Sequence, residues 1–527
     1  MYMSKIVCIL LLLVSFSTQL MAQNIDVISY DLIVQISDSS NKIDVVETIK
    51  FARKTESNKV TFNLISQNPK GEGMKISSLK VNGESSRFVH ENNIITIEID
   101  PSIRFTKLTT LTIHYSGIPQ DGLIIGENRY GNRTFFGDNW PNRAQHWFVC
   151  NDHPSDKALV DFSIIAPTHY EVIANGEFKG AIDYASGMKM HSFSSSHPLP
   201  TKVIVFGAAD FSIEELTEFK RFQLTSWVYP ENEQAGFSDM RLAIDVLNYF
   251  ESKISPFPYE KLANVQSTTR YGGMENAGCI FYSERARTGK GMMEELIAHE
   301  IAHQWFGNSA TERDWSHLWL SEGFATYLTH LYVLQKFGTE KFEDGLAKDR
   351  QTVKHFYKQQ ILPVVDTIST DPNEMLNANA YQRGAWTLHM LRTELGDDLF
   401  WKGIKAYYTN YQYSNATTDD FIRTMEKTSG KNLNQFSKQW LRTGVLPELQ
   451  LDGSKKKSKF SLTITQKQSG EAFHFPLDIE ITLKDGSKEV HTIDVNSTKT
   501  EVKIKASGKI ASIDYDPHVK LLFLSVR

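Results

Sequence analysis

From Ile25 to about Phe211 the chain alternates apolar and polar side chains in short runs: Tyr30-Asp31-Leu32-Ile33-Val34-Gln35-Ile36, Lys59-Val60-Thr61-Phe62-Asn63-Leu64, Ile94-Ile95-Thr96-Ile97-Glu98-Ile99 and Leu111-Thr112-Ile113-His114-Tyr115. A period of two sends one face of each run to a core and the other to water, so these runs predict strands. Asn82-Gly83 and Asn175-Gly176 add turn signals, and together they predict a large antiparallel β domain. After Thr225-Ser226-Trp227-Val228-Tyr229-Pro230 the texture changes. Phe237 to Ile254 repeats at the helical period, and helices then dominate to about Leu441, with few strands. From Leu446 strands return in Phe460-Ser461-Leu462-Thr463-Ile464, Leu477 to Leu483 and Glu501-Val502-Lys503-Ile504, about the length of one small β-sandwich. The expectation is a multidomain α+β chain: a β-rich domain over 23–214, a mainly helical domain over 215–446 and a small C-terminal β-sandwich over 447–527.

Length agrees, since 527 residues are too many for one core. The balance of 57 basic against 62 acidic side chains leaves a net charge of −5, with no basic field for nucleic acid. Lys455-Lys456-Lys457 reads as a solvated turn. The start of the chain reads as a processing segment: Lys5, the apolar stretch Ile6 to Phe16, then Leu20-Met21-Ala22 as a cleavage end. That stretch is too short to span a bilayer comfortably, so a secretory signal peptide over 1–22 is preferred to an uncleaved anchor. The expectation is export, to a periplasm or out of the cell. No later stretch is long and apolar enough to cross a membrane. Beyond the leader only Cys150 and Cys279 remain, and the sequence leaves their pairing open.

Candidate chemistry concentrates in His299-Glu300-Ile301-Ala302-His303, inside the apolar, helix-prone run that begins at Met292. Residues four apart on a helix share a face, so His299 and His303 can present two imidazole nitrogens to one cation with Glu300 beside it. This is the H-E-x-x-H pattern of zinc hydrolases. A catalytic zinc needs a third protein ligand and one open position. Glu322 follows His303 after eighteen intervening residues, at the head of a second helical run from Phe324 to Phe337, and is the candidate. By itself Glu322 would read as an acid favoured at a helix N-terminus. Upstream lies Gly272-Gly273-Met274-Glu275-Asn276, a glycine turn followed by an acid. Beside a zinc motif, a fixed carboxylate can hold a peptide's α-ammonium by charge-assisted hydrogen bonds, which an internal peptide nitrogen cannot make.

Gly272-Gly273-Met274-Glu275-Asn276 resembles the G-x-M-E-N exopeptidase motif, and His299-Glu300-x-x-His303 with Glu322 resembles the zinc motif of the M1 (gluzincin) aminopeptidases. The likeness continues through Gln304-Trp305-Phe306-Gly307-Asn308, Leu318 to Tyr327, and Tyr381-Gln382-Arg383-Gly384-Ala385, which resembles the family's Y-x-K-G-A. The resemblance implies a thermolysin-like catalytic domain and one zinc held by His299, His303 and Glu322. It implies Glu300 as general base, Tyr381 as donor to the oxyanion, and residues 272–276 as the site for peptides with a free amino terminus. Tyr271 is a candidate wall of the pocket for the first side chain. No large helical domain follows Arg527, so the family's shorter architecture is expected.

This chain departs from the family at three places. Gly273 stands where alanine is usual, and Arg383 replaces a lysine, keeping charge but not geometry. Phe148-Val149-Cys150-Asn151-Asp152-His153-Pro154 resembles F-P-C-x-D-x-P, and ten residues before its cysteine many members carry a Gln or Glu that shares the substrate amine. Here that residue is Trp140. The amine site then rests on Glu275 with Asn139 or Asn142, or on Glu275 alone. The rival readings are a thermolysin-like endopeptidase, the epoxide-hydrolase activity of an M1 relative, and a silent scaffold. The exopeptidase motif speaks against the first, nothing identifies a lipid-shaped pocket for the second, and the intact ligand set argues against the third. Neither the preferred first residue nor the oligomeric state is legible in the sequence.

Overall fold

The computed structural model describes residues 24–526 apart from 105–106, 186 and 287–288, so the leader read at 1–22 lies outside the described residues. The alternating runs fold as expected. Ile25–Gln35 and Ile43–Arg53 bury alternate side chains, with one slip at a bulge between Val27 and Ser29, and pair antiparallel at the centre of a nine-stranded sheet. The sheet is not antiparallel throughout, because Ile25–Gln35 runs parallel to Lys157–Pro167 on its other side. A crossover of that length frees the strand from the hairpin rule that makes sequential neighbours antiparallel. Asn82 and Gly83 both take positive φ, and their turn pairs Lys80 and Val81 with Ser85 and Glu84. Asn175-Gly176 is a corner between two sheets and not a hairpin, since Glu171–Ala174 and Glu177–Ala185 pair with different partners.

The middle region begins with a five-stranded mixed sheet in which Lys261–Ser267 and Cys279–Ser283 are buried along their whole length. Strands covered on both faces lose alternation, which is why the sequence shows few of them there. The short edge strand Gly273–Met274 closes this sheet. Three helices then matter for function: α1 (Glu294–Ala302), α2 (Trp319–Phe337) and α3 (Gly384–Leu395). Glu294 and Glu295 occupy the first turn of α1, where the helix dipole favours acids. The Tyr332 hydroxyl donates to the Glu294 carboxylate at 2.6 Å and ties α1 to α2. Phe306, Trp319, Phe324, Tyr407 and Phe421 pack ring against ring into an aromatic core around the start of α2. Gly338 and Gly396, at positive φ, end α2 and α3.

The C-terminal region forms two sheets, of four and three strands. Cys150 and Cys279 are both free and buried, so no disulfide joins them. The N-terminal region docks on the middle through a buried ion pair between Lys202 and Glu312 and through Lys157, whose ammonium donates to the carbonyls of Asn308 and Ser309. Arg350 pairs with Asp516, which follows the last strand of the three-stranded C-terminal sheet. Among the described residues no helix is long and apolar enough to cross a membrane.

Candidate metal centre

Helix α1 carries His299 in its last turn and ends so that His303 caps it, with the His303 N–H donating to the His299 carbonyl at 3.3 Å. The two Nε2 atoms come to 3.1 Å from each other. Helix α2 starts earlier than its apolar run suggests, at Trp319, which places Glu322 inside the first turn. Its carboxylate oxygen Oε2 lies 3.5 Å from His299 Nε2 and 3.3 Å from His303 Nε2. A tetrahedral ion about 2.1 Å from each ligand holds those ligands about 3.4 Å apart. The three atoms therefore already stand at three corners of one coordination tetrahedron, and among the described residues Glu322 Oε2 has no hydrogen-bond partner, as suits a ligand atom. His303 Nδ1 lies 3.2 Å from the Phe306 carbonyl and 3.1 Å from Ser321 Oγ. A proton held there leaves the Nε2 lone pair for a cation. Burial keeps the His299 imidazole below its usual range, toward the neutral form a ligand needs. Burial opposes ionisation of Glu322, yet His303 and His299 hold its carboxyl well below the usual range.

Two close contacts bring the remaining groups in. A Cβ on Gly323 would press on the backbone of Gly384, so α2 and α3 touch glycine to glycine, immediately after Glu322 and three residues after Tyr381. Before α3 the backbone makes a π turn over Asn379–Arg383, and this carries Tyr381 to the cavity. The Tyr381 ring lies nearly parallel to that of His299, at 11° and 6.1 Å between centroids. Burial raises its phenol well above the usual range, and Glu322, Glu275 and Glu300 add to the effect, so it stays a donor. The second contact involves Gly273. A Cβ there would overlap the Glu300 carboxylate, so the glycine standing where alanine is usual lets that side chain rest against the edge strand. Burial pushes the Glu300 carboxyl well above its usual range, with Glu275 and Glu322 pushing the same way against His303.

Glu275 follows the edge strand. Its carbonyl accepts from Gln304 Nε2 at 2.9 Å and Asn308 Nδ2 at 2.5 Å, so the residues after His303 fix the segment before α1. Its carboxylate oxygen Oε1 is buried without a partner. One cavity of about 60 Å³ gathers His299, Glu300, His303, Glu322, Glu275, Gly273, Met274, Tyr271 and Tyr381. It does not gather Gly272, whose carbonyl accepts from Ser283, or Asn276, which is wholly buried.

Asn139 and Asn142 do not line the cavity either. The Asn139 amide donates both N–H groups to Thr201 and Ile204 and accepts from the Trp147 indole, which holds it, wholly buried, away from the cavity. Two further walls are Trp140 and Leu376. Leu376 has no signal in the sequence, because a lone leucine between helices looks like any core residue.

A profile described as "Peptidase family M1 domain" matches residues 239–440, and one described as "Peptidase M1 N-terminal domain" matches residues 27–203. Relatives include a protein named probable aminopeptidase 2 from Sulfurisphaera tokodaii, 26% identical over 82% of this chain and 58% of that protein. A leucyl aminopeptidase from Saccharolobus solfataricus is 25% identical over 81% of this chain and 58% of its own length. A glutamyl aminopeptidase from Rattus norvegicus is 26% identical over 70% of this chain and 41% of its own length. The chain thus spans little more than half the length of these curated relatives, or less.

Proposed function

From the premise that the chain belongs to peptidase family M1, as its two matched domains show, we propose that it is a zinc-dependent aminopeptidase that removes the first residue from peptides with a free amino terminus. The observation that carries the reading is the orphaned carboxylate oxygen of Glu275 in the same small cavity as His299, His303 and Glu322. An acceptor buried without a donor costs stability unless a ligand satisfies it, and an α-ammonium is a donor of matching charge.

His299, His303 and Glu322 would hold zinc. When bound, it supplies Lewis-acid polarisation of the scissile carbonyl and acidifies a water. Glu300, whose surroundings raise its affinity for a proton, accepts one from the attacking water and returns it to the departing amine. Tyr381 donates its hydroxyl proton in a hydrogen bond to the carbonyl oxygen as negative charge gathers there. Glu275 sets the distance from the ammonium to the reacting carbonyl. The activity fits an exported protein whose residues 1–22 are a cleaved leader, acting in a periplasm or outside the cell.

The test uses full-length, zinc-loaded protein on alanyl and leucyl nitroanilides and on their N-acetyl forms, with and without chelator. Cleavage of the free-amine forms alone, abolished by chelator, is expected. Glu275→Ala should cost about tenfold to a hundredfold in kcat/KM on free amines, the worth of a charge-assisted hydrogen bond. Equal cleavage of acetylated substrates would replace this reading by an endopeptidase.

A further inference from the structure

The cavity wall contains three carboxylates. Glu322 belongs to the cation triad and Glu300 to the water, so Glu275 is the one carboxylate of the lining left for an ammonium. Where the family's second amine-holding Gln or Glu is expected stands Trp140, which is 2% exposed and lines the same cavity of about 60 Å³. Its Nε1 is buried and unpaired, and an indole N–H can only donate, so Trp140 offers an ammonium no acceptor. Its neighbour Asn139 is consumed by three other hydrogen bonds.

The aromatic walls are braced. Trp140 packs edge to face on Trp315 at 5.5 Å, and the Arg143 guanidinium lies 5.8 Å over the ring of Tyr271. Asp138 holds Arg143 by an ion pair and accepts from the Thr269 hydroxyl and the Arg270 N–H, locking the loop of Trp140 to that of Tyr271. A site with several acceptors loses one hydrogen bond when an N–H becomes N–CH3. A site with one carboxylate and aromatic walls loses none, because the methyl group carries part of the positive charge and meets π surface.

We propose that Trp140 turns the amino-terminus subsite into a one-carboxylate, aromatic-walled pocket that accepts secondary ammonium groups, so that peptides with an N-methylated first residue are substrates. This rests on the aminopeptidase reading. Full-length, zinc-loaded protein is assayed on alanyl, N-methylalanyl and N-acetylalanyl nitroanilides. Primary and N-methyl substrates should differ less than tenfold in kcat/KM, with the acetylated one at least a hundredfold poorer. Trp140→Gln should widen the primary to N-methyl ratio at least tenfold, whereas Trp140→Phe, which keeps an aromatic wall and serves if the first variant does not fold, should leave the ratio as in the wild type. A wild-type ratio above a hundredfold, a ratio unchanged in Trp140→Gln, or one widened by Trp140→Phe overturns the proposal. If no nitroanilide is cleaved, the activity itself falls, and calorimetry with alaninamide and N-methylalaninamide still decides this point: affinities within tenfold support it, and a hundredfold loss on methylation overturns it.

Discussion

Glu300 is the residue whose surroundings say most about its work. It is buried beside two other carboxylates and one imidazole, and among the described residues no hydrogen bond perturbs its carboxyl. Gly273 gives it room at the edge strand. A side chain kept unpaired in so crowded a place is poised to exchange a proton with something that enters. Glu300→Gln keeps the shape and removes that exchange. The variant is expected to bind zinc with the wild-type stoichiometry by metal analysis and to lose about 10²- to 10⁴-fold in kcat on aminoacyl nitroanilides. Turnover near the wild-type value would take the base role away from Glu300. Sequence made the ligand trio legible because one helix period fixes the spacing of His299 and His303. It could not reveal that Asn139 is already committed, since hydrogen bonds to Thr201 and Ile204 exist only after folding.

At the scale of elements, the glycine contact between α2 and α3 decides whether Glu322 and Tyr381 face one cavity. Gly323→Ala would drive a methyl group into the Gly384 backbone, which cannot swing aside as a side chain can. Overpacking of this kind costs about 1–3 kcal/mol. The expected result is that loss in denaturant unfolding together with weaker zinc binding, read by competition with a chelator. A second brace is Arg383, on the π turn that carries Tyr381. Its guanidinium donates to the carbonyls of Leu362, Gly444, Thr443 and Val445 at 2.8–3.1 Å, and burial pushes its pKa down to about 10. A lysine has three donors and no fork, so Arg383→Lys loses at least one of these four part-buried hydrogen bonds, at about 1–3 kcal/mol. With Tyr381 displaced, kcat should fall while KM changes little. Equal changes in both would mean that the turn does not position Tyr381. The helices themselves were legible from their apolar period. The π turn was not, because nothing in Tyr381-Gln382-Arg383-Gly384 distinguishes it from ordinary helix.

At the scale of the whole molecule, the middle region is gripped from both sides, and the N-terminal grip depends on protons. Lys157 reaches the carbonyls of Asn308 and Ser309, and the Asn308 amide in turn donates to the Glu275 carbonyl. The segment just before Lys157 is held by buried carboxyls. Glu47 accepts from the Tyr115 hydroxyl and the Val149 N–H, Asp152 from Thr201 and Gln145, and Asp156 from Val27 and Asn151. Burial raises Glu47 to about 8, Asp156 to about 7 and Asp152 to about 6. Each of these groups is a carboxyl whose folded value lies above its unfolded one, so the folded chain holds more protons in between. Their favourable contribution is complete below about pH 4 and is lost as pH rises through the folded values, at up to about 1.4 kcal/mol per pH unit for each group. The histidines whose values burial lowers, His146, His153, His191, His299, His317 and His389, have the opposite effect, but they titrate below about 6.5 and are silent above it. Between pH 6.5 and 8.5 Glu47 should therefore draw down the stability of the wild-type chain in urea unfolding, against the opposite pull of Lys157 and Lys261, whose values burial lowers. Glu47→Gln, which has no proton to lose, should show a distinctly shallower decline over the same range. Parallel pH profiles for the two proteins would mean that Glu47 is ionised in the folded chain throughout, with its charge met by Tyr115 and Val149 alone.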